Sequence, residues 1–207
     1  MSIATIKFLS DKAKSEVLEK TKAAGVEQNE FYFEDVLGVV RLNPFRCFVL
    51  DTFKHHATLD GEGKLDEVRD ADFNPYNTKF NERHLTLVLV KHPAGWLPAV
   101  VTTYKAMARP WKVWAEVKGK SADQVKGTPG YEHALEALDE SGRVVLEITG
   151  GQEQGKGKYK YNAAKGKASG PSAEEVAAYN AFVSSAAVLE AKEQFDKLVS
   201  AVQEKIS

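Results

Sequence analysis

The sequence predicts an α+β fold built mainly of antiparallel strands, with one helix near the N-terminus and a helical segment at the C-terminus. Three observations carry that expectation. Aromatic and β-branched runs recur through the middle of the chain, as in "FYFEDVLGVVRL", "FRCFVLDTF" and "HLTLVLVKH". Asn-Pro, Gly and Pro-Ala-Gly breakers separate them at hairpin spacing. The period of 3.6 that marks an amphipathic helix is sustained only at the two ends.

Taken in order, Ser10 and Asp11 are placed to cap a first helix running to about Ala24, with Ala13, Val17, Leu18 and Ala24 apolar and Gly25 as its stop. From Glu30 to Phe53 two or three strands are expected, divided by the Asn43-Pro44 turn signal. The polar stretch from His55 to Asn81 reads as a long excursion with one short helical turn near Leu65 to Arg69. "HLTLVLVKH" then predicts a strongly buried strand, "PAGW" a turn, and "LPAVVTTYKA" and "RPWKVWAEVKG" two further strands. Tyr131, Leu135 and Leu138 share one face of a short helix, "RVVLEIT" is a strand, Gly150-Gly151 a turn, and "GKYKYNA" a second strand paired with it. Ser172 and Glu175 form a capping box that opens a helical segment to the C-terminus.

From His84 onward this order is three strands, a short helix and two closing strands. It resembles the order of an OB-like, partly open barrel, an architecture that often binds single strands or oligosaccharides. The expected organisation is a β-rich domain over residues 1-170 and a C-terminal helical segment over 171-207, packed on that domain or on a partner.

Composition narrows the function classes. The chain has 207 residues with 28 Lys and Arg against 29 Asp and Glu, a formal charge of -1. Binding of a polyanion by bulk charge is therefore excluded. Cys47 is the only cysteine, so no internal disulfide forms, and its setting in "FRCFVL" predicts a small buried hydrophobe. "MSIATIKFLSDKAK" lacks the charged region and apolar core of a signal peptide, and the longest aliphatic run is "LVLV". A cytoplasmic protein with no membrane partner is expected.

Charge is unevenly placed along the chain. Residues 57-75 carry six acids against two bases, and 171-207 carry six acids against three lysines. Between them, "GQEQGKGKYKYNAAKGKASG" has five lysines and no acid after Glu153. As a strand, it alternates Lys156, Lys158 and Lys160 on one face with Tyr159 and Tyr161 on the other. Lysine at every second position, extended by Lys165 and Lys167, suits a ridge that tracks phosphates, while interleaved glycine permits close backbone approach. Without a ligand the same row would serve as a solvated sheet edge.

A second candidate lies in "RPWKVWAEVKG". Trp111, Val113, Ala115 and Val117 share a face, which leaves Trp114 with Lys112, Glu116 and Lys118 on the other. A tryptophan among lysines suits base stacking; packing beneath the C-terminal helix, the commoner setting for such a residue, is the competing reading. The candidate nucleic-acid-binding residues are thus Arg109, Lys112, Trp114, Lys156, Lys158, Tyr159, Lys160 and Tyr161. They predict a single-stranded DNA-binding protein, of the phage type, with phosphates met by the basic residues and bases by the aromatic ones.

Two alternatives come from other classes. An interaction protein would assemble, as a homo-oligomer, through its C-terminal helix. A nuclease is suggested by Glu116-Val-Lys118, which resembles the Glu-x-Lys of the PD-(D/E)XK superfamily. That resemblance implies a divalent metal held by the Glu and an upstream Asp, for which only Asp51 or Asp72 is available. His55, His56, His84, His92 and His133 lack zinc-ligand spacing, and Asp60 to Asp66 lacks the alternate carboxylates of a calcium loop. No cofactor is expected.

Overall fold

The structure, a computed structural model, describes residues 3–10, 13–59, 65–74, 79–104, 145–154 and 161–206. Among them it has nine strands and three helices: β1 (Ala4–Phe8), α1 (Ser15–Ala23), β2 (Phe31–Asp35), β3 (Gly38–Arg41), β4 (Phe45–Leu59), β5 (Leu65–Arg69), β6 (Asn81–His92), β7 (Gly95–Tyr104), β8 (Val145–Gln154), β9 (Tyr161–Ser169), α2 (Ala173–Val183) and α3 (Ala186–Gln203). All nine strands join one sheet in the order β3-β2-β1-β7-β6-β4-β8-β9, with β5 paired to β4. Every pairing is antiparallel except β1 with β7, which starts at Ala4 opposite Ala99.

The sheet curls into a half-barrel. Its curvature is visible in contacts between strands that are not neighbours. Phe31 of β2 and Phe45 of β4 meet edge to face at 5.2 Å although β1, β7 and β6 lie between them in the sheet. At Gly150 of β8 the backbone comes so close to the turn before β2 that a Cβ there would stand 2.6 Å from the Asn29 carbonyl oxygen. The Gly150 N–H donates to Asn43 Oδ1 at 2.8 Å. Asn43 also reaches Glu30, whose carboxylate takes two bonds from Arg41. The Arg41 guanidinium holds that carboxyl below its ordinary range against the opposing effect of burial.

Strand alternation sorts the core into two faces. The inner face collects Ile6, Phe31, Phe33, Phe45, Cys47, Val88, Val90, Val101, Leu146 and Ile148. The outer face collects Phe48, Leu85, Leu87, Leu89, Val100 and Val145, and α2 and α3 cover it through Phe182, Ala191, Phe195 and Val202. In α3 the positions Val188, Ala191, Phe195, Val199 and Val202 recur with helical period and form one stripe against the sheet. β6 is therefore buried from His84 to Val90 without a break, because both faces of its middle are covered.

Several expectations meet the structure directly. Cys47 is fully buried and burial pushes its thiol well above the ordinary range. Gly25 stops α1 with φ +68. The Ser172 and Glu175 capping box is present, and burial, which would raise the Glu175 carboxyl, is outweighed by Arg46 and by the Ser172 N–H.

Others are corrected. β1 was not expected, because a five-residue strand has little pattern of its own and its parallel partner lies in β7. The first helix begins at Ser15 after Lys14, without a side-chain cap, instead of at Ser10 and Asp11. The excursion from His55 is shorter than read: β4 runs to Leu59, and Leu65–Arg69 is a strand whose Val68 pairs with Ala57, not a helical turn. Gly150-Gly151 does not reverse the chain; β8 continues through it, with a bulge between Thr149 and Gln152 and Gly151 at φ +76. The C-terminal segment is two helices, parted where Ser185 Oγ donates to the Phe182 carbonyl at 2.7 Å. The helix expected near Tyr131 lies outside the described residues.

Candidate nucleic-acid interface

Of the candidate nucleic-acid-binding residues, Arg109, Lys112, Trp114, Lys156, Lys158, Tyr159 and Lys160 lie outside the described residues, as do Glu116 and Lys118. Tyr161 opens β9, its backbone opposite Gln154. What is described of the basic segment is its second half. Lys165 and Lys167 are exposed, with Gly166 between them, on the last strand of the described sheet.

Lys165 stands opposite Thr149 and Lys167 opposite Glu147, and these four residues with Gly166 line a shallow hollow of about 270 Å³. Glu147 faces Arg46 across the next strand at 3.4 Å. Arg46 in turn holds Glu175 at 2.9 Å, and its guanidinium is raised above its ordinary value by that bond. The row Arg46, Glu147, Lys167 therefore alternates in sign. Lys165, opposite a neutral threonine, is the cation of the hollow without an acid across from it.

Register also gathers polar residues that sequence reasoning did not combine. At one end of the inner face Lys54 pairs with His84, His84 with Thr103, and His56 with Glu82. Glu82 Oε1 meets His84 Nε2 at 2.9 Å and its other oxygen meets Lys54 Nζ at 3.6 Å. Thr52 and Thr86 share a hydroxyl contact at 3.2 Å, while the Thr103 hydroxyl is buried without a hydrogen-bond partner. The Glu82 carboxylate thus bridges the His84 imidazole and the Lys54 ammonium. Alternation of Glu82, His84 and Thr86 in β6 was the available signal, but only the register brings Lys54 and Thr103 beside them.

His56 turns its Nδ1 to the Asp70 carbonyl at 3.0 Å, and His55 lies on the outer face opposite Arg83. The two adjacent histidines thus point apart, as a strand requires. Among the described residues no group of three His, Cys, Asp or Glu is placed to hold a metal. Asp51, one of the two carboxylates available to a nuclease reading, accepts from the Thr52 N–H at 2.7 Å. The other, Asp72, sits in the turn where its N–H donates to Asp70 Oδ1.

No helix among the described residues is long and apolar enough to cross a membrane. Comparison with known proteins finds no matching family model, no matching curated protein and no matching solved structure.

Proposed function

We propose that the protein is a cytoplasmic single-stranded nucleic-acid-binding protein whose curled sheet works as an OB-like, partly open barrel. The observation that carries this reading is the exposed pair Lys165 and Lys167 on β9, separated by glycine and lining a shallow hollow. Such a strand suits a phosphate backbone, since each lysine neutralises one phosphate and releases its counterion. Lys156, Lys158 and Lys160 continue the same run of sequence toward the N-terminus, and Arg109 and Lys112 supply further cations. Trp114, Tyr159 and Tyr161 stack on bases, a contact worth about 1–3 kcal/mol per base.

The test is a fluorescence-anisotropy titration of a labelled single-stranded oligonucleotide. Wild-type protein binds, and a Lys165→Ala, Lys167→Ala double variant binds at least several-fold more weakly while keeping its circular dichroism. Trp114 emission is quenched on binding. A folded double variant with wild-type affinity would remove β9 from the interface.

A second reading, self-assembly through the C-terminal helix, is favoured by one observation. Ala187, Glu190, Ala191 and Gln194 of α3 border a hollow of about 320 Å³ beside the β2-β3 turn. In that turn Val36 and Leu37 are 82% and 92% exposed, and Leu189 on the same helix is 65% exposed. Light scattering of wild-type protein and of a Leu37→Asp variant decides it: assembly requires a mass above 22.8 kDa that the variant loses.

A further inference from the structure

His55, Arg83 and Tyr104 occupy directly paired positions on β4, β6 and β7. Pairing puts the three side chains in one row on the outer face, next to the row Phe53, Leu85 and Thr102. His55 is only 1% exposed, its ring stacks on Phe53 at 5.6 Å, and both of its ring nitrogens are buried without a hydrogen-bond partner. The Arg83 guanidinium lies over the Tyr104 ring at 5.3 Å, and its Nε is likewise buried and unbonded.

Among the described residues no carboxylate pairs with either side chain. A guanidinium keeps its charge in any protein setting, and taking it out of water without a counter-charge is costly. Buried imidazole nitrogens are normally bonded for the same reason. Cation–π contact with Tyr104 offsets part of that cost, but it offers no acceptor to the N–H groups. Burial, with Arg83, His84 and His56 adding to it, holds His55 neutral down to about pH 4. The row thus holds two buried N–H groups without an acceptor, Arg83 Nε and one ring nitrogen of His55, beside a half-buried positive charge.

We propose that Arg83 and His55 form a binding site for a phosphoryl oxyanion on the outer face of β4 and β6. The anion would accept charge-assisted hydrogen bonds from the Arg83 fork and a further bond from a ring N–H of His55. Contact with the Tyr104 ring limits where the guanidinium can turn. Phosphate, free or as a monoester, and the phosphodiester of a nucleic-acid strand share this chemistry. The site is independent of the β9 reading, because it uses none of the lysines and lies on the other side of β4 from β8.

The experiment is a nuclear magnetic resonance titration of the full chain, followed at the His55 ring nitrogens. Sodium phosphate is added at constant ionic strength, with sodium chloride as the matched control. The expected result is a saturable movement of the His55 resonances with phosphate and none with chloride. Arg83→Met, which keeps the stem and removes the fork, should weaken phosphate by about tenfold or more. Should that variant fail to fold, Arg83→Lys, which retains the charge, should fold and still bind several-fold more weakly.

An oligonucleotide without a terminal phosphate distinguishes the sources: movement of His55 with it assigns a phosphodiester, and movement with inorganic phosphate alone assigns a free phosphate or monoester. His55 resonances that stay still under both probes would overturn the proposal, as would a folded Arg83→Met or Arg83→Lys protein that responds to phosphate like wild type. The Lys165→Ala, Lys167→Ala variant should keep the phosphate response, so loss of oligonucleotide binding there leaves this site standing.

Discussion

Replacing Gly150 by alanine tests the curl of the sheet at the point where its ends approach. The added Cβ would stand 2.6 Å from the Asn29 carbonyl oxygen and 3.2 Å from ring carbons of Phe31 and Phe8. Carbon atoms pack comfortably at about 3.5–4.0 Å, so the methyl must displace backbone as well as rings. The Asn29 carbonyl has little room to yield, because the Asn29 N–H is bonded to the Leu9 carbonyl and Leu9 N–H to the Glu30 carbonyl. Strain is relieved only by moving β8 away, which stretches the 2.8 Å bond from Gly150 N–H to Asn43.

Overpacking of this kind costs about 1–3 kcal/mol, and loss of the partly buried hydrogen bond about 1 kcal/mol more. Gly150, unlike Gly151, is not in the left-handed region, so the substitution probes contact alone. Urea unfolding followed by tryptophan fluorescence should show a loss of about 2–4 kcal/mol at an unchanged slope, and the melting temperature should fall by roughly 5–15 °C. A variant within about 0.5 kcal/mol of wild type would refute the approach of β8 to the Asn29 turn, and with it this account of the half-barrel.

Two further outcomes follow from the packing and the titration of buried groups. Phe195 is 3% exposed at the centre of the α3 stripe, and Phe195→Ala should destabilise the protein by about 3–5 kcal/mol in the same unfolding assay; a loss under about 1 kcal/mol would mean that α3 is not seated on the sheet. His55 titrates at about 4 in the folded protein against an ordinary 6.5, chiefly through burial and then through Arg83, His84 and His56. The unfolded chain binds the extra proton first, so His55 stability is complete above pH 6.5 and falls as the pH drops toward 4, by up to about 3 kcal/mol. His55→Gln should flatten that acid arm, and an unchanged arm would contradict the burial argument.

Legibility in the sequence followed how local each cause was. The middle of β6 was readable because a strand covered on both faces needs an uninterrupted apolar run, and "LVLV" supplies one. The Ser172 and Glu175 cap was readable because its two bonds join residues three apart. β1 was not, since its pairing with Ala99 and Phe33 gives it a place that five residues cannot announce. The Gly150-Gly151 pair looked like a hairpin because glycine permits many conformations, whereas its role comes from the distant Asn29 and from a bulge.

The candidate interface was legible as a run of lysines but not in its electrostatics. That Lys167 faces Glu147, and Glu147 faces Arg46, depends on register across three strands. The same holds for the outer-face row: His55, Arg83 and Tyr104 are remote in sequence, and nothing in "KHHAT", "NERHL" or "VTTYK" announces that they align.

The most direct test of the central claim is the salt dependence of oligonucleotide binding. The segment from Gly151 to Gly170 holds five lysines, and if each of them, with Arg109 and Lys112, neutralises one phosphate of a single strand, log K should fall against log salt with a slope of about -4.9. Replacing Lys156, Lys158 and Lys160 by alanine should flatten the slope to about -2.8, and replacing Lys165 and Lys167 to about -3.5, in proteins that stay folded. A graded loss of this kind is the expected result. A folded wild-type protein with no affinity for single-stranded oligonucleotide at low salt, or with a slope that none of these substitutions changes, would contradict it.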